Sequence, residues 1–175
     1  ALGGGVLGGL LYHVLLMLGW GMAMGGQIIV ARRVGEGANE AVGRVVEHLL
    51  FTLGAFAILL MLFAHALHPA FFSIAVRSNL VCDSASSFFG YRLFGLPFAF
   101  LTYSLNAFLI GITRTKVITL TSFITVFVNI VLDYGLIFGN FGLPQMGVRG
   151  AALASVIAEI AGATFLLVYI SRMNV

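Results

Sequence analysis

The sequence has little charge. Of its 175 residues, nine are Lys or Arg and six are Asp or Glu, together 9%, against 61% hydrophobic residues. Soluble domains carry about 25% charged residues. Water could not solvate a surface built from so few, and a mean hydropathy of +1.10 points to an integral membrane protein. Cysteine is nearly absent as well. Cys82 stands alone, so no internal disulfide can form, and the redox compartment stays open. No basic stripe is present of the kind that tracks a phosphate backbone, so nucleic acid is not expected as a partner. Nothing matches G-x-x-x-x-G-K-[ST], so no nucleotide-driven pump is encoded in this stretch. Gly3 to Gly8 formally fits G-x-G-x-x-G, but that motif needs a preceding strand and an acid about 20 residues on. Here the glycines lie in an apolar run and Ile28 stands in the acid's place. No signal peptide is recognisable, because nothing basic precedes the first apolar run and no cleavage-type site follows it. The chain opens on Ala1, already inside apolar sequence, as expected of a fragment of a longer protein.

What is present is a series of long apolar runs punctuated by charge. Residues 1–31 contain no charged residue, and Arg32 and Arg33 end that run. Asp, Glu, Lys and Arg are also missing from 48–76, 93–113 and 117–132, while 150–171 hold only Glu159. A membrane helix needs about 20 apolar residues. The pattern predicts an all-α integral membrane protein with five transmembrane helices, near residues 6–31, 49–68, 86–110, 117–139 and 150–170. The runs do not alternate polar with apolar residues, which excludes barrel strands.

The stretch 32–48 is the polar one. Gly35 and Gly37 should break the first helix, and Asn39 suits the N-cap of a short amphipathic helix. Glu40 and Arg44 stand at i,i+4, with Val42, Val45 and Val46 on the other side. The segment is expected to lie along the membrane surface as a solvated cytoplasmic linker. Lys and Arg collect in cytoplasmic loops. With alternating helices, Arg32, Arg33, Arg44, Arg114, Lys116 and Arg172 fall on one side, and Arg77, Arg92 and Arg149 on the other. This predicts that residue 1 is outside and residue 175 cytoplasmic. Arg92 is expected to snorkel at the outer end of its helix. Pro97 should kink that helix by removing a backbone donor.

Two acids interrupt the last two runs, and a charged carboxylate at mid-membrane costs about 2.5–3.5 kcal/mol on insertion scales. Asp133 follows Asn129 by four, Thr125 by eight and Thr121 by twelve, so the four share one helix face. Such an acid can take and release a proton, or hold a cation together with the Asn129 carbonyl. Alternatively, it sits near a helix end and reaches interfacial water. Glu159 lies roughly 14 Å into its helix, on a small-residue ridge with Ala151, Ser155 and Ala163. It is either a relay or glue between helices. Tyr103 and Asn106 lie three apart and should face a neighbour or a wet cavity. Gly4/Gly8, Gly5/Gly9 and Gly21/Gly25 mark further close-packing faces. His65 and His68 lack a third ligand in sequence, so we expect interfacial histidines and no metal site.

These residues also carry a family likeness. NIVLDYGLIFGNFGLPQMGVRGAALASVIAE (129–159) resembles the fifth helix, outer turn and sixth helix of multidrug and toxic compound extrusion (MATE) transporters. GITRTK (111–116) resembles the inner turn before that fifth helix. YRLFGLP (91–97) and IIVARRVGEG (28–37) resemble the fourth helix and the exit from the second. The wording MGVRGAALASVIAE is similar to the DNA-damage-inducible (DinF) branch. The resemblance implies a twelve-helix transporter of two six-helix lobes, with this chain as helices two to six of the N-terminal lobe. It implies efflux of organic cations or aromatic compounds driven by a proton or sodium gradient, with no enzymatic step and no other cofactor. It places the ion site at Asn129 and Asp133, and Asn106 near a cavity. The first helix, which would bring a second carboxylate, and the C-terminal lobe would be partners supplied by the rest of the protein. A lipid-linked saccharide flippase of the same wider superfamily, or an inactive helical fragment, are the alternatives.

Overall fold

The computed structural model describes residues 2–173, with the side chains of Leu2 and Asn39 outside that description. The termini on which the orientation was stated, residues 1 and 175, lie outside the described residues. Six α-helices and one 3-10 turn follow in order: α1 (Leu2–Gly35), α2 (Asn39–Ala75), α3 (Asn79–Arg92), the turn Leu93–Gly95, α4 (Leu96–Gly111), α5 (Thr115–Phe138) and α6 (Val148–Ser171). Together α3, the turn and α4 form one span, so five segments are long and apolar enough to cross a membrane. No strand occurs among the described residues.

The expected surface linker is not a separate element. Only residues 36–38 separate α1 from α2, and Gly37 takes the left-handed conformation, φ +70°, that the tight reversal requires. Ala38 occupies the N-cap and Asn39 is the first helical residue. The amphipathic stretch continues directly into the membrane span because nothing after Asn39 breaks the helix. Thirty-seven residues reach about 55 Å at 1.5 Å each, well beyond a hydrocarbon core of about 30 Å, so α2 projects out of the apolar layer. Its helix also runs on past Pro69 to Ala75. At the exposed turn Arg32 Nε and Arg33 Nη1 donate to Glu36 at 2.9 and 2.8 Å. These bonds hold the Glu36 carboxyl below its ordinary range. The contact is therefore kept at neutral pH and lost only as pH falls through that lowered value.

The span 79–111 is the centre of the bundle. Leu93, Leu96, Phe100 and Leu109 are fully buried. They join Tyr12, Leu53, Ala57 and Phe89 in one core cluster and Val30, Val42 and Leu166 in another. An all-round apolar helix such as α4 suits such a position. Pro97, next to the start of α4, clashes with a carbonyl four residues back, which is where the 3-10 turn interrupts the span. By contrast α2 and α5 leave Phe51, Ile58, Leu59, Phe63, Phe123 and Phe127 exposed. Only lipid or other protein tolerates so large an apolar surface, and the chain is a multi-pass membrane protein.

Glycine brings the helices together. A Cβ at Gly4 would lie 2.5 Å from Ser84 Cβ and 2.8 Å from the Ala85 nitrogen, and one at Gly150 would lie 2.5 Å from the Leu136 carbonyl oxygen. The second contact fixes the α5–α6 hairpin, which is also pinned by Met146 N–H donating to the Leu136 carbonyl at 2.8 Å. Gly43 meets nothing within 4 Å. The same substitution should therefore have opposite signs at the two sites. Gly4→Ala is expected to destabilise by about 1–3 kcal/mol through overpacking, and Gly43→Ala to stabilise by about 0.5–1 kcal/mol through helix propensity. Thermal denaturation in detergent measures both, and equal shifts would show that α1 and α3 do not meet there.

Candidate functional site

Polar side chains gather in three places within the apolar bundle. The first is the α5 stripe. Thr121 and Thr125 donate to the carbonyls four residues back, of Val117 and Thr121, at 2.9 and 3.0 Å. Their hydroxyl hydrogens are therefore engaged within the helix. A Cβ at Gly162 would come within 2.5 Å of Thr125 Oγ1, so this part of the stripe packs on α6. Asn129 Nδ2 donates to Ser155 Oγ of α6 at 3.2 Å. Asp133, one turn on, is partly buried, and its Oδ1 is enclosed without any hydrogen-bond partner. The polar face of α5 is thus turned, up to Asn129, against α6 of the chain itself.

The second place is a cluster the sequence does not announce. Arg92 Nη2 meets Glu159 Oε1 at 2.7 Å, with the two side chains 14% and 15% exposed. Tyr12 OH donates to Glu159 Oε2 at 3.3 Å, and the Arg92 guanidinium carbon lies 4.1 Å from the centroid of the Tyr12 ring. Three spans converge here, from α1, the end of α3 and the middle of α6. Gly95 makes the room: a Cβ there would collide with Glu159 Oε2 and lie 2.8 Å from Arg92 Nη1. Arg92 does not snorkel to the outer surface, as its position near a helix end suggested. A buried carboxylate attracts it inward, where a charge-assisted hydrogen bond in low dielectric is stronger than the same bond in water. Glu159 accordingly ties helices together.

The third place is a cleft of about 240 Å³ between α1, α4 and the start of α5. Trp20, Met24 and Gln27 face Tyr103 and Asn106 across it. Asn106 Oδ1 is buried without a partner. Tyr103 packs its ring 6.2 Å from that of Phe100. Asn129, Thr125 and Asp133 do not line this cleft, and Glu159 lies with Arg92, so the sequence-predicted residues divide among three locations. Trp20, Gln27, Tyr12 and Ser155 are additions that sequence reasoning missed. Each lies on a helix where only its neighbour across the interface reveals its role. His68 is also drawn inward, its Nδ1 3.1 Å from Ser86 Oγ. No group of three metal-ligating side chains occurs among the described residues.

Comparison with known proteins gives this geometry a setting. A family model described as MatE matches residues 1–135. A protein of Thermotoga maritima named "Probable multidrug resistance protein NorM" is 32% identical over 148 residues, which is 82% of this chain and 31% of that protein. A NorM protein of Agrobacterium fabrum is 28% identical over 94% of this chain and 35% of its own length. "Probable multidrug resistance protein YoeA" of Bacillus subtilis is 25% identical over 93% of this chain and 35% of its own. The chain thus spans about a third of the length of the curated relatives it matches. A solved structure of an inward-facing multidrug resistance MATE family transporter of the MOP superfamily superposes with a TM-score of 0.86 over 94% of this chain and 37% of the other. At 19% identity that likeness concerns the fold.

The ion pair sets a stability test. Glu159→Leu leaves the Arg92 charge buried without a counter-ion, an expected loss of about 3–5 kcal/mol. Adding Arg92→Met removes the orphaned charge and should recover most of that loss. Unfolding midpoints of the full-length protein in detergent measure both, and a single variant no less stable than the double would break the argument.

Proposed function

We propose, from the premise that this chain belongs to the MatE family, that it is part of a secondary active antiporter exporting organic, cationic or aromatic compounds. A proton or sodium gradient drives the export. The relatives' names carry the efflux half of this reading. The unpartnered, enclosed Oδ1 of Asp133 carries the coupling half. A carboxylate in hydrocarbon without a partner is costly, and binding a proton or a sodium ion relieves that cost. Because Asn129 gives its amide N–H to Ser155, its carbonyl oxygen is left as an acceptor one turn from Asp133. A proton needs only Asp133, whereas sodium would use both oxygens. Neither ion requires a further cofactor, and no enzymatic step enters.

The cleft suits the substrate. Trp20 and Tyr103 offer aromatic faces to a planar organic cation, and Asn106 offers an acceptor. The first helix and the C-terminal lobe of the same protein would complete both the ion site and the cleft. Arg92 now counts as an interior group, so six basic residues oppose two, Arg77 and Arg149. That balance favours a cytoplasmic location for the turns at 36–38 and 112–114.

A lipid-linked saccharide flippase handles an anionic pyrophosphate and needs cations in its cavity. Arg92 does lie in the interior, unlike the other basic residues, but it faces Glu159 at 2.7 Å and is neutralised. An inactive helical fragment would have no use for an unpartnered carboxylate. In the full-length protein Asp133→Asn should abolish gradient-driven drug efflux while leaving drug binding in place. Efflux assays in everted vesicles, with proton and sodium gradients imposed separately, give the readout. Unchanged efflux and unchanged ion dependence in the variant would remove the coupling assignment. Binding of lipid-linked pyrophosphates without binding of organic cations would favour the flippase.

A further inference from the structure

A groove of about 650 Å³ runs along the polar end of the α1–α2 hairpin, away from the sites above. Met22, Gly26 and Ile29 of α1 and Val45 and Leu49 of α2 form its apolar walls. Arg33, Arg44 and His48 stand at its mouth. On α1 the lining runs from Met22 to Arg33, about 16 Å along the helix. That matches roughly half of a hydrocarbon core of about 30 Å, which is one leaflet. The groove is therefore apolar over the depth of one acyl layer and basic where a headgroup would lie.

Of the two arginines at the mouth, Arg33 is paired with Glu36 and Arg44 is not. Sequence spacing pairs Arg44 with Glu40, but no ion pair of Arg44 within 4.0 Å occurs among the described residues. Arg33 gives one N–H to Glu36 and keeps its other donors. His48 Nδ1 lies 2.6 Å from the Arg44 carbonyl, which fixes the imidazole at the rim. Glu36, Glu40 and Glu47, the acids of this region, do not line the groove. Guanidinium groups match a phosphodiester in shape and charge. A zwitterionic headgroup offers that phosphate with a compensating cation, an anionic one without it.

We propose that this groove binds one anionic phospholipid, its phosphodiester held by Arg33, Arg44 and His48 and an acyl chain laid between α1 and α2. The basic end of the hairpin belongs to the membrane side richest in Lys and Arg, where anionic lipid is bound by such clusters.

Native mass spectrometry of the full-length protein, released from nanodiscs of phosphatidylglycerol or of phosphatidylcholine, tests this. The protein should retain one phosphatidylglycerol in preference to phosphatidylcholine. Arg44→Gln should lower that retention about fivefold, and Arg33→Gln with Arg44→Gln about 25-fold, at about 1 kcal/mol per arginine. Gly25→Leu fills the groove from a position where an added Cβ meets nothing within 4 Å, and should also release the lipid. Arg32→Gln removes an equal charge from a side chain outside the groove lining and should leave retention within about twofold, well under the single-arginine effect. Equal retention of the two lipids, retention undiminished in the Arg33/Arg44 double variant, or a loss in Arg32→Gln as large as in Arg44→Gln, would each overturn the proposal.

Discussion

In hydrocarbon a buried charge cannot turn to water, so Glu159 must find its counter-charge in the protein. It finds Arg92, and that one contact fixes much of the bundle. Arg92 closes α3 and immediately precedes the 3-10 turn. Glu159 sits in the middle of α6, and Tyr12 brings α1 to both. The 3-10 turn at Leu93–Gly95 interrupts the α-helical pattern of the central span beside the pair. Gly95 must lack a side chain for Glu159 to enter. The 3-10 turn, the glycine and the ion pair are therefore one arrangement.

The two intramembrane acids differ in what surrounds them, and that difference separates their roles. Glu159 is paired, hydrogen-bonded and enclosed by three helices. A proton added to it would weaken the bond to Arg92 and leave a buried guanidinium without its counter-charge, so it is poorly placed to exchange ions. Asp133 has no such partner among the described residues, and its neighbour Asn129 already has its amide N–H engaged by Ser155. Within the proposed mechanism, an exchanging site must be incompletely satisfied in its empty state, and Asp133 meets that condition.

Much of the fold was legible in the sequence because charge is so scarce. Each of the five long apolar runs lies in one of the five membrane-length helical spans, and the α5–α6 hairpin follows the Gly- and Pro-containing turn between its helices. The errors have physical causes. Residues 32–48 read as a surface linker because they are polar, but a polar helix that projects past the apolar layer has no reason to break. In the span near 86–110 the break expected at Pro97 takes the form of the 3-10 turn just before it. At the site, the i,i+4 stripe from Thr121 to Asp133 was visible because it is periodic within one helix. The partnership of Arg92 with Glu159 was not, because it joins residues 67 apart, and an Arg at a helix end reads as snorkelling by default. A buried acid on a small-residue ridge did signal packing against some neighbouring helix. Only the packing of α3 on α6 identifies which.

The unsatisfied atoms draw the remaining distinction. Among the described residues, three enclosed side-chain atoms lack partners: Arg92 Nη1, Asn106 Oδ1 and Asp133 Oδ1. A lobe in lipid has every reason to pair such groups, since each left unpaired costs of the order of 1–3 kcal/mol. Arg92 Nη1 belongs to a guanidinium already held by Glu159, so its cost is part of securing the bundle. Asn106 and Asp133 secure nothing in this chain. One lies in the aromatic cleft and the other at the end of the α5 stripe, and both are acceptors. Under the proposed function, a protein that binds and releases cations keeps its acceptors free and its interior guanidinium occupied, and the polar groups described in this lobe are divided in that way.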